Sequence, residues 1–403
     1  MYVVPMIDLE RARRDTPSCE RVLHFNSAGA SLCPRAVLDC VVGYLELEAE
    51  IGGYEAEDER AADLDRVYDS IAALLGAGRD EIAVTDSATR SWDLAFYSIP
   101  FRSGDRILVG RAEYVSNYIA LLQVARRTGA EIVVVPDDPH GQISLDALRA
   151  LIDDRVKLIA LTHVPTSSGL VNPAEAVGKI AREAGVLYLL DACQSIGQLP
   201  LDVRAIGCDF LSGTGRKFLR APRGTGVLYV RREVIETIEP VFLDMHSATW
   251  TARDQFAIRK DARRFESLET SFAGKLGLGA AVDYALAIGM DNIAERIGVL
   301  AGSLRKRLSK IAGVTLRDPG LERCGIVTFT VEGFEPSWIR ARLREARINM
   351  WVSHGSGARL DLEARGIPSV ARASVHYFNT EGEVEAFAVA LERLFSGNPL
   401  SPR

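Results

Sequence analysis

Lysine is scarce in this chain, with seven lysines against 41 arginines in 403 residues. Cysteine is scarce as well. The six, at 19, 33, 40, 193, 208 and 324, include no C-x-x-C pair. That scatter lacks metal-ligand spacing and the density of a disulfide scaffold, so the expectation is a metal-free protein whose cysteines are mostly small buried hydrophobes. No cysteine lies beyond Cys324. No apolar run reaches the roughly 18 residues of a membrane helix. The opening M-Y-V-V-P-M-I-D-L-E-R-A-R-R has no charged segment ahead of an apolar one, as a secretory signal would. A net charge of −6 leaves no basic footprint, which argues against nucleic acid as a partner. These absences set the expectation of a cytoplasmic protein with neither membrane nor nucleic-acid partner.

What is present suits a globular protein: 47% hydrophobic and 25% charged residues, in a chain long enough for two domains. Residues 1–34 read as an irregular arm whose H-F-N-S-A-G-A-S-L-C-P lets a ligand approach the backbone. Helical spacing follows over 35–50 and 60–75, with I-G-G-Y-E-A-E-D (51–58) as a break. Then short apolar runs at 81–85, 106–110, 131–136, 156–164, 186–191, 208–211 and 226–230 alternate with helical patterns. This predicts an α/β fold, a mostly parallel seven-stranded sheet with helices on both faces and ligands beyond the carboxyl ends of the strands. Residues 240–272 read as irregular, 275–311 as helical, and the rest as a smaller α+β unit. The expected division is an arm (1–34), a large domain (35–250) and a small C-terminal domain with its linker (251–403).

The chemistry centres on 187–230. An apolar run ends on Asp191, and a Gly-rich loop further on carries Lys217. That pairing suits pyridoxal phosphate: the lysine holds the cofactor as a Schiff base and the acid keeps the pyridine nitrogen protonated. Taken singly, they could be a strand-end cap and a solvated surface lysine. Other strand ends are polar too. T-D-S-A-T-R offers Ser87, Ala88 and Thr89 to an anion, or is an ordinary N-cap. Tyr114 could stack on a flat ring or merely pack. Thr166 lies in T-H-V-P-T-S-S-G, and Gln194 follows Asp191. Five such ends in register are hard to explain as five separate caps. With the lysine they read as one site for a flat, anionic, protonatable ring.

At this point the chain resembles the class V, cysteine desulfurase-like members of the fold-type I pyridoxal phosphate enzymes, over roughly residues 24–395. That family has D-x-x-Q and then S-G-H-K; here stand Asp191-Ala-Cys-Gln194 and Thr214-Gly-Arg216-Lys217. The resemblance implies Lys217 as the catalytic Schiff-base lysine, Asp191 as the pyridinium partner and Gln194 on the ring hydroxyl. Ser87, Ala88, Thr89 and Thr214 would hold the phosphate. Tyr114 stands where the family has a stacking histidine, and Thr166 where desulfurases have asparagine. Arg372, in R-A-S, matches the arginine that binds the substrate carboxylate. The resemblance also implies a homodimer with shared sites, Thr270 of E-T-S reaching the neighbour's phosphate, and a small-molecule amino-acid substrate.

The departures matter as much. Desulfurases carry a persulfide on a cysteine in a loop ahead of that arginine; here the loop reads S-H-G-S-G-A-R. The missing nucleophile argues against a persulfide-forming desulfurase. Arg216 before the lysine, with F-L-R-A-P-R-G-T-G after it, resembles the isopenicillin N epimerase-like and C–S lyase branches. E-A-E-I-G-G-Y (48–54), E-Y-x-x-N (113–117) and Ala358-Arg359 resemble hercynylcysteine sulfoxide lyases, or serve packing alone. The implied activity is β-elimination from a cysteine S-conjugate or its sulfoxide, with epimerase and aminotransferase or deaminase as alternatives on the same core. Asn26, Ala28, Tyr54 and Arg359 are the candidate substrate contacts, each with a packing alternative. Arg359 would hold a second substrate anion, or pair with Asp361 or Glu363. A scaffold that has lost its chemistry fits poorly with intact Lys217, Asp191 and Arg372.

Overall fold

The computed structural model describes residues 7–397; the first six residues of the expected arm and the last six of the C-terminal unit lie outside it. In the arm a short strand, β1 (Leu23–His24), precedes the main sheet. That sheet consists of β2 (Ile82–Thr85), β3 (Arg106–Val109), β4 (Glu131–Val134), β5 (Val156–Thr162), β6 (Leu187–Asp191), β7 (Phe210–Thr214) and β8 (Gly226–Val230). Their order is β2-β8-β7-β6-β5-β3-β4, parallel except at β8, which runs antiparallel to both neighbours. The α/β, mostly parallel seven-stranded architecture is therefore as expected.

The strands are apolar almost throughout because both faces are covered. Alternation along each strand divides the core in two: Leu190 and Leu211 pack to one side, Leu189 and Phe210 to the other. The same alternation sets the chemistry. Asp191 and Thr162, adjacent in register at the ends of β6 and β5, follow Leu190 and Leu161 and so turn to the opposite face from them.

Beyond β8 the segment expected to be irregular contains a hairpin, β9 (Ala248–Ala252) and β10 (Gln255–Ile258). The C-terminal unit adds β11 (Val314–Leu316), β12 (Ile326–Val331), β13 (Ile348–Asn349), β14 (Trp351–His354) and β15 (Ser369–Ser374). Four of these form an antiparallel sheet in the order β11-β12-β15-β14. The arm is less irregular than expected. It holds a helix at Leu9–Arg14, and β1 pairs parallel with β13, tying it to the C-terminal unit. Strands of two residues are too short to show a period in sequence.

Two breaks also differ. Residues 51–58 are not a loop: the helix Arg35–Ile51 turns at Gly52 (φ 104°) and resumes as Gly53–Glu59. The single helical region expected over 275–311 is two helices, Phe272–Ile288 and Met290–Leu308, bent by 79° at Gly289 (φ 92°). Both glycines sit at φ values that other residues avoid. No single helix among the described residues is long and apolar enough to cross a membrane.

Candidate active site

Asp191 closes β6 and is buried. One carboxylate oxygen accepts the backbone N–H of Cys193 at 2.8 Å; the other accepts the Asn117 side-chain amide at 2.8 Å. The same amide nitrogen donates to Oε1 of Glu113 at 3.1 Å, so one NH2 group bridges two buried acids. Glu113 Oε1 also accepts the Tyr114 N–H (2.9 Å) and the Thr162 hydroxyl, while Oε2 has no protein partner. Burial pushes the Glu113 carboxyl up to about 7, and the charge of Asp191 adds to the rise against the pull of those donors. Burial also raises Asp191, opposed by Cys193 N–H, Asn117 and the nearby Lys217 charge.

β7 begins and ends a little later than its apolar run suggests, at Phe210–Thr214, which puts Gly215-Arg216-Lys217 directly beyond the strand. Lys217 is buried and its Nζ lies 3.3 Å from Cys193 Sγ. Across the site, β15 presents Arg372. Its Nη1 donates to the Thr166 carbonyl (2.9 Å) and hydroxyl (2.6 Å), and its Nη2 reaches Asn26 Oδ1 at 3.5 Å. Among the described residues its Nε has no partner and no carboxylate pairs with it. Burial, with the charge of Arg216, lowers its pKa to about 10, which still leaves a cation at neutral pH. Gln194 donates to Thr166 Oγ1 (2.9 Å) and the Ala28 carbonyl (3.1 Å), leaving a buried Oε1 unpaired. Arg216 donates to the Gly29 carbonyl.

A cavity of about 460 Å3 is lined by Asn26, Ala28, Tyr114, Thr166, Lys217 and Arg372 among others; Asp191, Gln194 and Thr214 are not on its walls but are joined to the wall residues through Cys193, Thr166 and the β7 strand end. A larger groove, about 1010 Å3, lies beside Lys179, Arg182 and Glu183 and contains none of them. The chemistry therefore belongs to the smaller cavity. Ser87, Ala88 and Thr89 are not on its walls. Ser87 caps the helix Ala88–Tyr97, its Oγ accepting from Arg90 N at 3.2 Å. The loop is nevertheless close by. Gly226 pairs in register with both Thr85 and Thr214, and a Cβ there would lie 2.4 Å from the Ser87 carbonyl carbon.

Three further expected residues are not brought to the cavity. Tyr54 is 83% exposed on Gly53–Glu59. Arg359 lies at the surface and bonds Glu363 at 2.7 Å, the salt-bridge alternative. Thr270 sits just before the helix Phe272–Ile288, away from this chain's own cavity. Sequence reasoning missed Glu113, Asn117, Cys193 and Arg223. The acid and amide were visible as E-Y-x-x-N, with Glu113 just ahead of the helix Val115–Thr128 and Asn117 in its first turn, but nothing in the pattern linked them to Asp191.

The free groups fit a flat, anionic ring with a basic nitrogen: an amine at Lys217, an acid at Asp191, and an unpaired acceptor at Gln194. A seven-stranded α/β sheet with this lysine and acid at neighbouring strand ends defines a fold-type I pyridoxal phosphate enzyme. The aminotransferase class-V family model matches residues 23–387, and the chain belongs to that family. It is 32% identical over 400 residues to a probable cysteine desulfurase of Xylella fastidiosa (strain 9a5c), covering 95% of each chain. Among solved structures, the apo cysteine desulfurase from Thermococcus onnurineus NA1 matches with a TM-score of 0.91 and 27% identity, covering 98% of this chain and 100% of that one. The cystine C-S lyase C-DES, in complex with its product cysteine persulfide, matches with a TM-score of 0.85 over 94% and 99%; at 22% identity this is a likeness of fold alone. The protein is a pyridoxal phosphate-dependent class V enzyme that acts on an amino acid.

Proposed function

We propose that this enzyme cleaves the Cβ–S bond of a cysteine S-conjugate, or of its sulfoxide, by β-elimination, with no protein thiol to carry the sulfur away. The observation behind this is the end of β14 and the loop after it. Together they give the cavity Ser353, His354, Ser356, Gly357 and Ala358, and the chain has no cysteine after the buried Cys324. Relatives named cysteine desulfurases support C–S chemistry, and the missing loop thiol argues against persulfide transfer to the protein. Cys193 is the cysteine beside Lys217, but it sits next to the acid rather than on the cavity wall.

Pyridoxal phosphate, when bound, supplies the electron sink for charge developing at Cα. Lys217 would hold it, Asp191 would face the ring nitrogen, and the free oxygen of Gln194 would accept from the ring hydroxyl. Asn117 and the Cys193 N–H fix both Asp191 oxygens, so the acid is oriented before the cofactor arrives. Thr214 and the Ser87–Thr89 helix start would take the phosphate. Arg372, steadied through Nη1 by Thr166, offers its remaining N–H groups to the α-carboxylate, which supplies the counter-charge this buried guanidinium lacks. Lys217, with the substrate amine in its place, would accept the α-proton on Nζ. The sulfur would leave with the Cβ–S electron pair as thiolate or sulfenate, and hydrolysis of the remaining three-carbon unit would give pyruvate and ammonia.

Epimerisation and transamination use the same three residues, so products must distinguish them. Incubating holoenzyme with cysteine S-conjugates, cysteine and plain amino acids is expected to release thiol and pyruvate one for one from a conjugate. Exchange of α-deuterium without either product would mean epimerisation, and a keto acid retaining the whole side chain would mean transamination. The enzyme is further read as a homodimer. Met245, Trp250, Phe242 and Phe256, 79, 78, 63 and 57% exposed, lie in the segment that carries the β9–β10 hairpin and leads to Thr270, with Trp250 and Phe256 paired across the hairpin: four large apolar side chains that a partner would take out of water.

A further inference from the structure

Two basic side chains at the cavity remain after one lysine is assigned to the cofactor and one arginine to the α-carboxylate. Its walls carry Arg216, Lys217, Arg223 and Arg372, and no Asp or Glu is among the described residues lining it. Lys217 is committed to the cofactor and Arg372 to the α-carboxylate. Arg216 stands close enough to Arg372 for its charge to act on it, and it is held to the Gly29 carbonyl. Arg223 is exposed on the loop between β7 and β8. The backbone beside it is anchored by the Thr225 hydroxyl on the Pro222 carbonyl at 2.8 Å. Among the described residues the Arg223 side chain has no hydrogen bond or ion pair. Like charges gathered at a partly desolvated wall repel one another until an anion joins them. Trp351, 41% exposed, adds apolar surface to the same cavity.

Resting on the reading that an amino acid binds here, we infer that its side chain ends in a second anionic group of the carboxylate class. Arg223 receives that group, with Arg216 beside it, and an apolar spacer lies against Trp351. This gives Arg223 the role sequence suggested for Arg359, whose charge is already met by Glu363. The competing explanation is that Arg223 serves the cofactor phosphate, and it makes a different prediction.

The test compares S-(2-carboxyethyl)-L-cysteine with S-(2-carbamoylethyl)-L-cysteine, which match in size and differ in charge. The holoenzyme is followed by pyruvate release and, separately, by the change in the cofactor's visible absorbance on titration. A charge-assisted contact predicts a preference for the carboxylate of about tenfold. Arg223→Ala should bring the ratio to about one, Arg223→Glu should invert it, and Arg223→Lys should keep part of it. Added salt should shrink it in the wild type, a result that needs no variant. Arg359→Ala should leave it unchanged. A wild-type ratio near one, or a ratio that survives Arg223→Ala, overturns the inference. So does an Arg223→Ala enzyme that loses pyridoxal phosphate on dialysis while keeping the preference. If neither compound yields pyruvate but absorbance titration still favours the carboxylate, the β-elimination reading fails and the subsite stands.

Discussion

Glu113 shows how far the fold can change a single side chain. Its carboxyl is buried, pushed up to about 7, and joined to Asp191 through one amide of Asn117. Because its folded pKa is raised above the ordinary value of 4.5, its contribution is intact below that value and is lost as pH rises through about 7. The shift corresponds to ~3 kcal/mol. Glu113→Gln keeps the neutral form at all pH, so wild-type apo-protein should lose stability against the variant between about pH 5 and about pH 8. Urea midpoints measured across that range check it, and parallel curves would contradict it. Lys217 and Asp191 were legible in sequence because each closes a strand-to-loop junction where bland explanations accumulate implausibly. Glu113, Asn117 and Arg223 were not: an acid, an amide and an arginine at ordinary spacings carry no sign of which buried partner they meet or lack.

At the scale of elements, the site is made by strand ends held in register. Gly226 is a tight point among them. A Cβ there would meet the Ser87 carbonyl carbon at 2.4 Å, its oxygen at 2.6 Å and Thr85 Oγ1 at 2.6 Å, and two of those are backbone atoms that cannot step aside. Gly226→Ala should therefore move the Ser87–Thr89 helix start, lowering cofactor affinity by about tenfold or more and reducing Tm. Cofactor titration of apo-protein by fluorescence reads the first effect. Unchanged affinity with lowered Tm would mean that this loop plays no part in holding the phosphate. The seven sheet strands were readable as apolar runs because both faces are buried. β1 was not, since it has two residues, and its pairing with β13 joins positions far apart in the chain. Gly52 was legible as a break, though not as a turn between two helices, and Gly289 was passed over inside what read as a single helical region.

Across the whole molecule, Arg220 fastens the lysine loop to both ends of the chain. It lies three residues past Lys217, buried, in the left-handed region at φ 65°. It bonds the Leu32 carbonyl of the arm at 2.8 Å and the Tyr377 hydroxyl of the C-terminal unit at 2.6 Å. Holding a non-glycine residue there costs free energy, offset by these bonds and by the Tyr377 and Phe378 rings beside the guanidinium. A second copy of the chain is expected to cover the exposed hairpin. Sedimentation should show a dimer for the wild type and a shift toward monomer, with loss of activity, for Trp250→Glu; a wild-type monomer with full activity would refute the shared-site reading.

The central claim is that sulfur leaves with the product and never rests on the protein. Intact-mass measurement of holoenzyme quenched during turnover of a cysteine S-conjugate tests it most directly. The account predicts thiol and pyruvate in equal amounts and a protein of unchanged mass. A protein heavier by the conjugate's S–R group, releasing the thiol only when a reductant is added, would contradict it, as would a gain of one sulfur atom during turnover of free cysteine.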